Sequence, residues 1–312
     1  MLYFLYGAVG LAVLTLLVSY GVFRYTFFAD RRKTDNPYVM LKGSPSVKID
    51  AERVRYLVRE ICETPHEDVE ITSFDGLCLR GRLYAGQKGK PVAILMHGYR
   101  SLGARDFCGT FRIFIESGYT VLMPDQRAHG ASEGNVIRFG VAERHDCLSW
   151  TNYAAGRFGK NARIVLMGLS MGAATVLMAS SLPLPENVRC IIADSAYTSP
   201  CDIIAKVARD KHLPSALLMP FVRIGAYMFG HFSPNDSAAV REVEKNTRPL
   251  LLLHGRGDYF VPSGMSRRIF HAARGEKQLL ILPNNGHCAS YIFNTERYTE
   301  AIESFCRRYV GT

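Results

Sequence analysis

Arg163-Ile164-Val165-Leu166-Met167-Gly168-Leu169-Ser170-Met171-Gly172-Ala173-Ala174-Thr175 is the stretch whose reading decides the fold. An apolar, β-branched run leads into Gly-Leu-Ser-Met-Gly, and small residues suited to a helix follow. A serine at a sharp strand-to-helix turn reads as a nucleophile, because the flanking glycines permit a strained backbone and close packing that leave its hydroxyl exposed above a sheet. The five-residue pattern alone is weak, with roughly 0.1 to 0.2 chance matches expected in a chain this long. Its setting between strand and helix carries the argument.

Three further segments fall in the order that such a site requires. Val92-Ala93-Ile94-Leu95-Met96-His97-Gly98-Tyr99 reads as a buried strand ending in a loop with backbone N–H groups to offer. Leu251-Leu252-Leu253-His254-Gly255-Arg256-Gly257-Asp258 is a second apolar run that delivers a carboxylate past its end. Leu279-Leu280-Ile281-Leu282 leads through Pro283-Asn284-Asn285-Gly286 to His287. The order Ser, Asp, His is that of an α/β-hydrolase.

On GLSMG, LMHGYRSLG at 95–103, MPDQRAHGAS at 123–132, HGRGDYFVP at 254–262 and NGHCAS at 285–290, the chain resembles the α/β-hydrolase superfamily. More narrowly, it resembles bacterial membrane-anchored serine hydrolases related to the S33 aminopeptidase-like group, over about residues 65–310. The resemblance implies Ser170 as nucleophile, His287 as general base and Asp258 as the group that orients the imidazole. It also implies an oxyanion hole from the backbone N–H groups of Tyr99 and Met171. Asp194, after the run ending Ile191-Ile192-Ala193, is the rival for the acid. Asp125, Arg127 and His129 are expected to brace loops by charge-assisted hydrogen bonds.

The remaining pattern fits one α/β domain with a mostly parallel eight-stranded sheet and helices on both faces. Asp75-Gly76 marks a hairpin between strand-like segments, and apolar strands near 92–97, 119–124, 163–168, 190–194, 249–254 and 278–282 alternate with helical segments. About 198–247 is too long for a simple crossover and is expected to hold a helical lid, the alternative being that its apolar residues pack on the core.

From Leu2 to Phe23 the chain carries no charge, and 22 residues at about 1.5 Å each reach roughly 33 Å, enough to cross a bilayer core. The absence of basic residues before the run and of a small-x-small site after it favours an anchor over a cleaved signal peptide. Arg24, Arg31, Arg32 and Lys33 follow the run, which places the catalytic domain in the cytoplasm by the positive-inside tendency. The expected division is an anchor at 1–24, a tether and linker helix at 25–64, and the hydrolase domain at 65–312. The linker helix spans Ala51 to Glu63, with packing on the domain preferred to lying on the membrane.

Eight cysteines without a Cys-x-x-Cys pair read as free thiols. A net charge of +10, scattered and without a nucleic-acid module, is better matched to anionic lipid headgroups than to nucleic acid. No metal-ligand spacing, P-loop or dinucleotide fingerprint stands out, so no cofactor is expected. The expected function is hydrolysis of a carboxylic ester or related acyl bond of a small-molecule or lipid substrate, with a peptidase or a non-catalytic binding protein as the alternatives.

Overall fold

A computed structural model describes residues 1–29, 50–283 and 285–311; most of the expected tether, 30–49, lies outside them. The strands are β1 (Glu67–Thr72), β2 (Cys78–Tyr84), β3 (Val92–Met96), β4 (Thr120–Pro124), β5 (Ile164–Leu169), β6 (Val188–Asp194), β7 (Leu250–Gly255) and β8 (Lys277–Leu282). They form one eight-stranded sheet in the order β1-β2-β4-β3-β5-β6-β7-β8. Both neighbours of β2 pair with it antiparallel, and every other pairing is parallel.

The main helices are α1 (Leu2–Thr26), α2 (Ala51–Glu63), α3 (Thr110–Glu116), α4 (Glu143–Phe158), α5 (Met171–Ala179), α6 (Pro200–Asp210), α7 (Ser215–Gly230), α8 (Gly264–Ala272) and α9 (Thr295–Tyr309). Strand side chains alternate between two cores because successive residues point to opposite faces. In β3, Val92, Ile94 and Met96 join the core beneath α4, α5, α7 and α8, whereas Ala93 and Leu95 join the one beneath α2, α3 and α9. This two-sided burial is why the central strands read as unbroken apolar runs.

At the β1–β2 hairpin, Gly76 has φ +89°, and the Ser73 N–H donates to the Leu77 carbonyl at 2.8 Å. Asp75 thereby sits at the tip, facing the later loops. The α2 helix is capped by Asp50 Oδ1, which accepts from the N–H groups of Glu52 and Arg53. Its stripe of Val54, Leu57, Val58 and Ile61 is buried, and Glu60 accepts from Arg112 Nε at 2.8 Å. Burying four such side chains contributes about 1.5 to 3 kcal/mol each, so α2 is part of the domain core rather than a surface linker.

At the amino-terminal end of the expected tether, residues 27–29 are also packed. Helix α1 continues to Thr26, and Phe23, Phe27 and Ala29 are buried in the core with α5 and α7. Phe27 makes edge contacts with Phe139 and Phe232, and the Ala29 N–H donates to the Asn135 carbonyl. Residues 27–29 therefore pack with the domain, because Phe27 is buried and Phe28 partly buried against the same core. The stretch 198–247 folds as α6, α7 and the short helix Ala239–Glu242. All eight cysteines are unpaired thiols.

Candidate active site

Ser170 lies between the end of β5 and the start of α5 with φ +56° and ψ −114°. Such a backbone is costly for a residue with a side chain, and its surroundings enforce it. The Ser170 N–H donates to the Asp194 carbonyl at 2.8 Å, and its own carbonyl accepts from the Ala174 N–H. A Cβ on Gly168 would meet the Gly172 carbonyl oxygen at 2.2 Å, and one on Gly172 would meet that of Met96 at 1.8 Å. The two glycines thus let α5 pack against β3 and β5 while Ser170 points out of the turn.

The structure brings Ser170, Asp258 and His287 together from three different strand ends. Ser170 Oγ lies 2.8 Å from His287 Nε2, and His287 Nδ1 lies 2.7 Å from Asp258 Oδ2. With a carboxylate as acceptor, Nδ1 carries the proton and Nε2 is left to accept from the serine hydroxyl. Asp258 Oδ1 accepts from the N–H groups of Phe260 (3.0 Å) and Val261 (2.8 Å). Burial would raise this carboxyl, but the charge of His287 and hydrogen bonds from His254 and His287 outweigh it, holding Asp258 well below the usual carboxylate range. For His287 burial disfavours the cation; the Asp258 charge and hydrogen bond, with Asp194 and Asp106 nearby, overcome that and raise its pKa.

Asp194, the rival acid, does not reach the imidazole. Its Oδ1 accepts from Ser195 Oγ at 2.9 Å and its Oδ2 from the Tyr298 hydroxyl at 3.0 Å, and burial raises its pKa. It acts on the turn through its backbone carbonyl instead.

The loop after β3 lies against Ser170. A Cβ on Gly98 would be 3.2 Å from Ser170 Cβ, and the Gly98 N–H donates to Asp106 Oδ2 at 2.6 Å. Tyr99 follows directly, and Met171 follows Ser170 as the first residue of α5. Among the described residues, neither the Tyr99 nor the Met171 N–H has a backbone acceptor outside regular helix and strand pairing. Backbone N–H groups free of such pairing are the kind of donor that a developing oxyanion needs.

Two other histidines near the site have structural partners. His97 Nε2 accepts from the Gln126 N–H at 3.0 Å and Nδ1 donates to the Gly98 carbonyl; burial lowers its pKa to about 4. His129 Nε2 accepts from the Arg100 N–H at 2.9 Å, with burial and His97 lowering its pKa to about 3. Arg127 pairs with both Asp146 (2.6 Å) and Asp75 (2.8 Å), and Asp125 Oδ2 accepts from the Ala131 N–H. The Asp125–Arg127–His129 cluster is therefore a brace between the hairpin, α4 and the loop after β3.

Several contributors had no readable signal in the sequence. His254 donates from Nε2 to the Val261 carbonyl at 2.7 Å and accepts at Nδ1 from Ser266, fixing the loop that carries Asp258. The Phe260 ring sits 5.0 Å from the His287 ring. The Tyr99 hydroxyl donates to the Thr26 carbonyl, and Arg100 Nη2 donates to those of Tyr25 and Phe28, so the loop after β3 caps the end of α1. Cys288 has φ +55°, and burial with the nearby Asp106, Asp194 and Asp258 charges keeps its thiol protonated.

Residues 93–301 match the alpha/beta hydrolase family. The chain belongs to that family. Among its relatives is the uncharacterized protein YqkD of Bacillus subtilis, 23% identical over 296 residues that cover 94% of each chain. The thiohydrolase aneE of Aspergillus aculeatus is 26% identical over 207 residues, 63% of this hydrolase and 62% of the relative. Among solved structures, a Pyrococcus furiosus esterase superposes with a TM-score of 0.66 at 23% identity, covering 90% of this chain and all of the other. That likeness establishes the shared fold.

Proposed function

We propose that this hydrolase is a membrane-anchored serine enzyme that cleaves a carboxylic ester or related acyl bond through an acyl-Ser170 intermediate. The observation that carries the reading is the continuous hydrogen-bond chain Ser170–His287–Asp258, at 2.8 and 2.7 Å. As Ser170 Oγ attacks the acyl carbon, its proton passes to His287 Nε2, and Asp258 stabilises the resulting imidazolium. The Met171 and Tyr99 N–H groups receive the oxyanion, each worth about 3 to 4 kcal/mol of transition-state stabilisation. His287 then returns the proton to the leaving group, and water repeats the sequence to release the acid. Relatives named as an esterase and a thiohydrolase support oxygen or sulfur leaving groups over amides.

Helix α1 supports the anchor. It is long and apolar enough to cross a membrane, and it exposes Leu5, Leu11, Leu14 and Leu17. A segment destined for removal has no reason to bury Ser19, Phe23 and Phe27 in the domain it leaves. The basic residues after the span favour a cytoplasmic catalytic domain, and the anchor together with the apolar helix α7 favours a hydrophobic or lipid-derived substrate. The test is labelling with a serine-reactive fluorophosphonate alongside hydrolysis of short p-nitrophenyl esters. Both are expected to vanish in Ser170→Ala with the thermal melt preserved; retained hydrolysis in that variant would reject the assignment.

A further inference from the structure

Helix α7 departs from the ordinary pattern of a helix on a protein surface. Its inward residues Met219, Val222 and Ala226 are buried, but its exposed residues include Leu217, Pro220, Tyr227 and Met228, with Arg223 the one exposed charge. Leu217 and Tyr227 each keep 69% of their surface open. Leu217, Pro220, the half-buried Ile224, Tyr227 and Met228 follow one another at spacings of three, four, three and one and so lie along one side of the helix, a stripe which Leu213, also exposed, extends past the helix start.

The stripe adjoins α1. A Cβ on Gly225 would meet the Ser19 carbonyl oxygen at 2.5 Å, so the two backbones touch there. The Phe229 ring packs 5.1 Å from Tyr20 and 5.8 Å from Phe23. Cations border this apolar surface: the Arg24 guanidinium lies 3.6 Å over the Phe28 ring, and Lys211 Nζ lies 5.5 Å from the Tyr25 ring. Arg209, next to Lys211, is exposed. An apolar stripe with a basic border is the surface of a helix lying at a leaflet.

We propose that the outward face of α7 is a bilayer-docking surface, seated in the apolar layer of a phospholipid leaflet beside α1, with Arg24, Arg209 and Lys211 at anionic headgroups. This rests on the membrane-anchored reading of α1 and adds that the catalytic domain itself enters the lipid. A soluble partner would leave the exposed α1 side chains without a common environment with α7, whereas one leaflet covers both.

The full chain in phosphatidylcholine–phosphatidylglycerol vesicles tests it by quenching of tryptophan with brominated acyl chains. The native Trp150 is fully buried and supplies an unquenched background. Leu217→Trp and Tyr227→Trp, two exposed sites so that one misfolded variant does not end the test, are expected to be quenched comparably to Leu14→Trp in α1. Lys160→Trp, exposed before β5, is expected to stay at background. Quenching at 14 but not at 217 or 227 overturns the docking and leaves the anchor standing; quenching at none overturns both. Reporters on α7 untouched by lipid yet shielded from acrylamide assign the face to a second copy or another protein, which also overturns the proposal. Fluorophosphonate labelling of Ser170 in the same samples reports on the hydrolase reading separately.

Discussion

Asp258→Asn separates the proposed triad from its alternatives because it removes one charge and the carboxylate that accepts from His287 and His254, without changing volume. The 2.7 Å contact puts the charge centres of Asp258 and the imidazolium about 4 Å apart, worth about 4 kcal/mol at an effective dielectric near 20. At about 1.4 kcal/mol per pH unit that is close to three units. Asp106 and Asp194 still favour the imidazolium, so a displacement of about one to three units is expected. The sign follows from the base having to be neutral. In the native protein the pKa of His287 is raised, so activity falls as pH drops through a value above 6.5. In Asp258→Asn burial faces a weaker opponent, and the acid limb moves to lower pH. The plateau rate is expected to fall about 10⁴-fold, because an amide in place of the carboxylate no longer fixes the Nδ1–H tautomer, equivalent to about 5.5 kcal/mol of barrier. Hydrolysis of p-nitrophenyl butyrate across pH 5 to 9, with thermal melts to verify folding, measures both effects. Asp194→Asn, lacking contact with the imidazole, is expected to stay within about tenfold of the native plateau. An Asp258→Asn variant within about tenfold of the native rate, or with an unmoved acid limb, would refute the reasoning.

Gly172→Ala is expected to be severe, since its Cβ would lie 1.8 Å from the Met96 carbonyl oxygen and 2.6 Å from that of His97. Separating α5 from β3 to make room costs about 3 kcal/mol or more; a native urea midpoint with full fluorophosphonate labelling would contradict this. Arg100→Met leaves the Tyr25 and Phe28 carbonyls without their donor, loosening the loop that carries Tyr99. An approximately tenfold lower kcat at nearly constant KM is expected, partly restored by Arg100→Lys, and a change confined to thermal stability would argue against the coupling. Asp75 is one of the two carboxylates that hold Arg127: burial works against its charge, but hydrogen bonds from Arg127 and Ser73 win and hold its pKa at about 2. Because the folded value lies below the unfolded one, this stabilisation is complete above about pH 5 and disappears as pH falls through about 2. Urea midpoints between pH 5 and 2 should decline less steeply in Asp75→Asn, and an unchanged slope would mean that the pair is not linked to folding.

The central strands and the strand-to-helix turn at Ser170 were legible in the sequence because their causes are local. Unbroken apolar runs report burial on both faces, and a serine between glycines reports a turn that other residues strain to make. The helix at 51–63 was visible from its spacing, whereas its membership in the core was a question of what lay opposite, supplied by α3 and α9. The choice between Asp258 and Asp194 was open for the same reason: each follows a strand after the nucleophile. Only the packed sheet puts Asp258 against Nδ1 and turns Asp194 toward Ser195 and Tyr298.

Taken by itself, then, the order of residues determined the element types, the α/β architecture and the apolar amino-terminal run, and it singled out Ser170 and His287 as the candidates that the fold brings within 2.8 Å. Tertiary structure alone decided that His254 braces the acid loop, that Tyr99 and Arg100 cap the end of α1, and that residues 27–29 are built into the domain. Those contacts join segments separated by tens of residues along the chain, and no periodicity or motif within one segment encodes what another will bring to meet it.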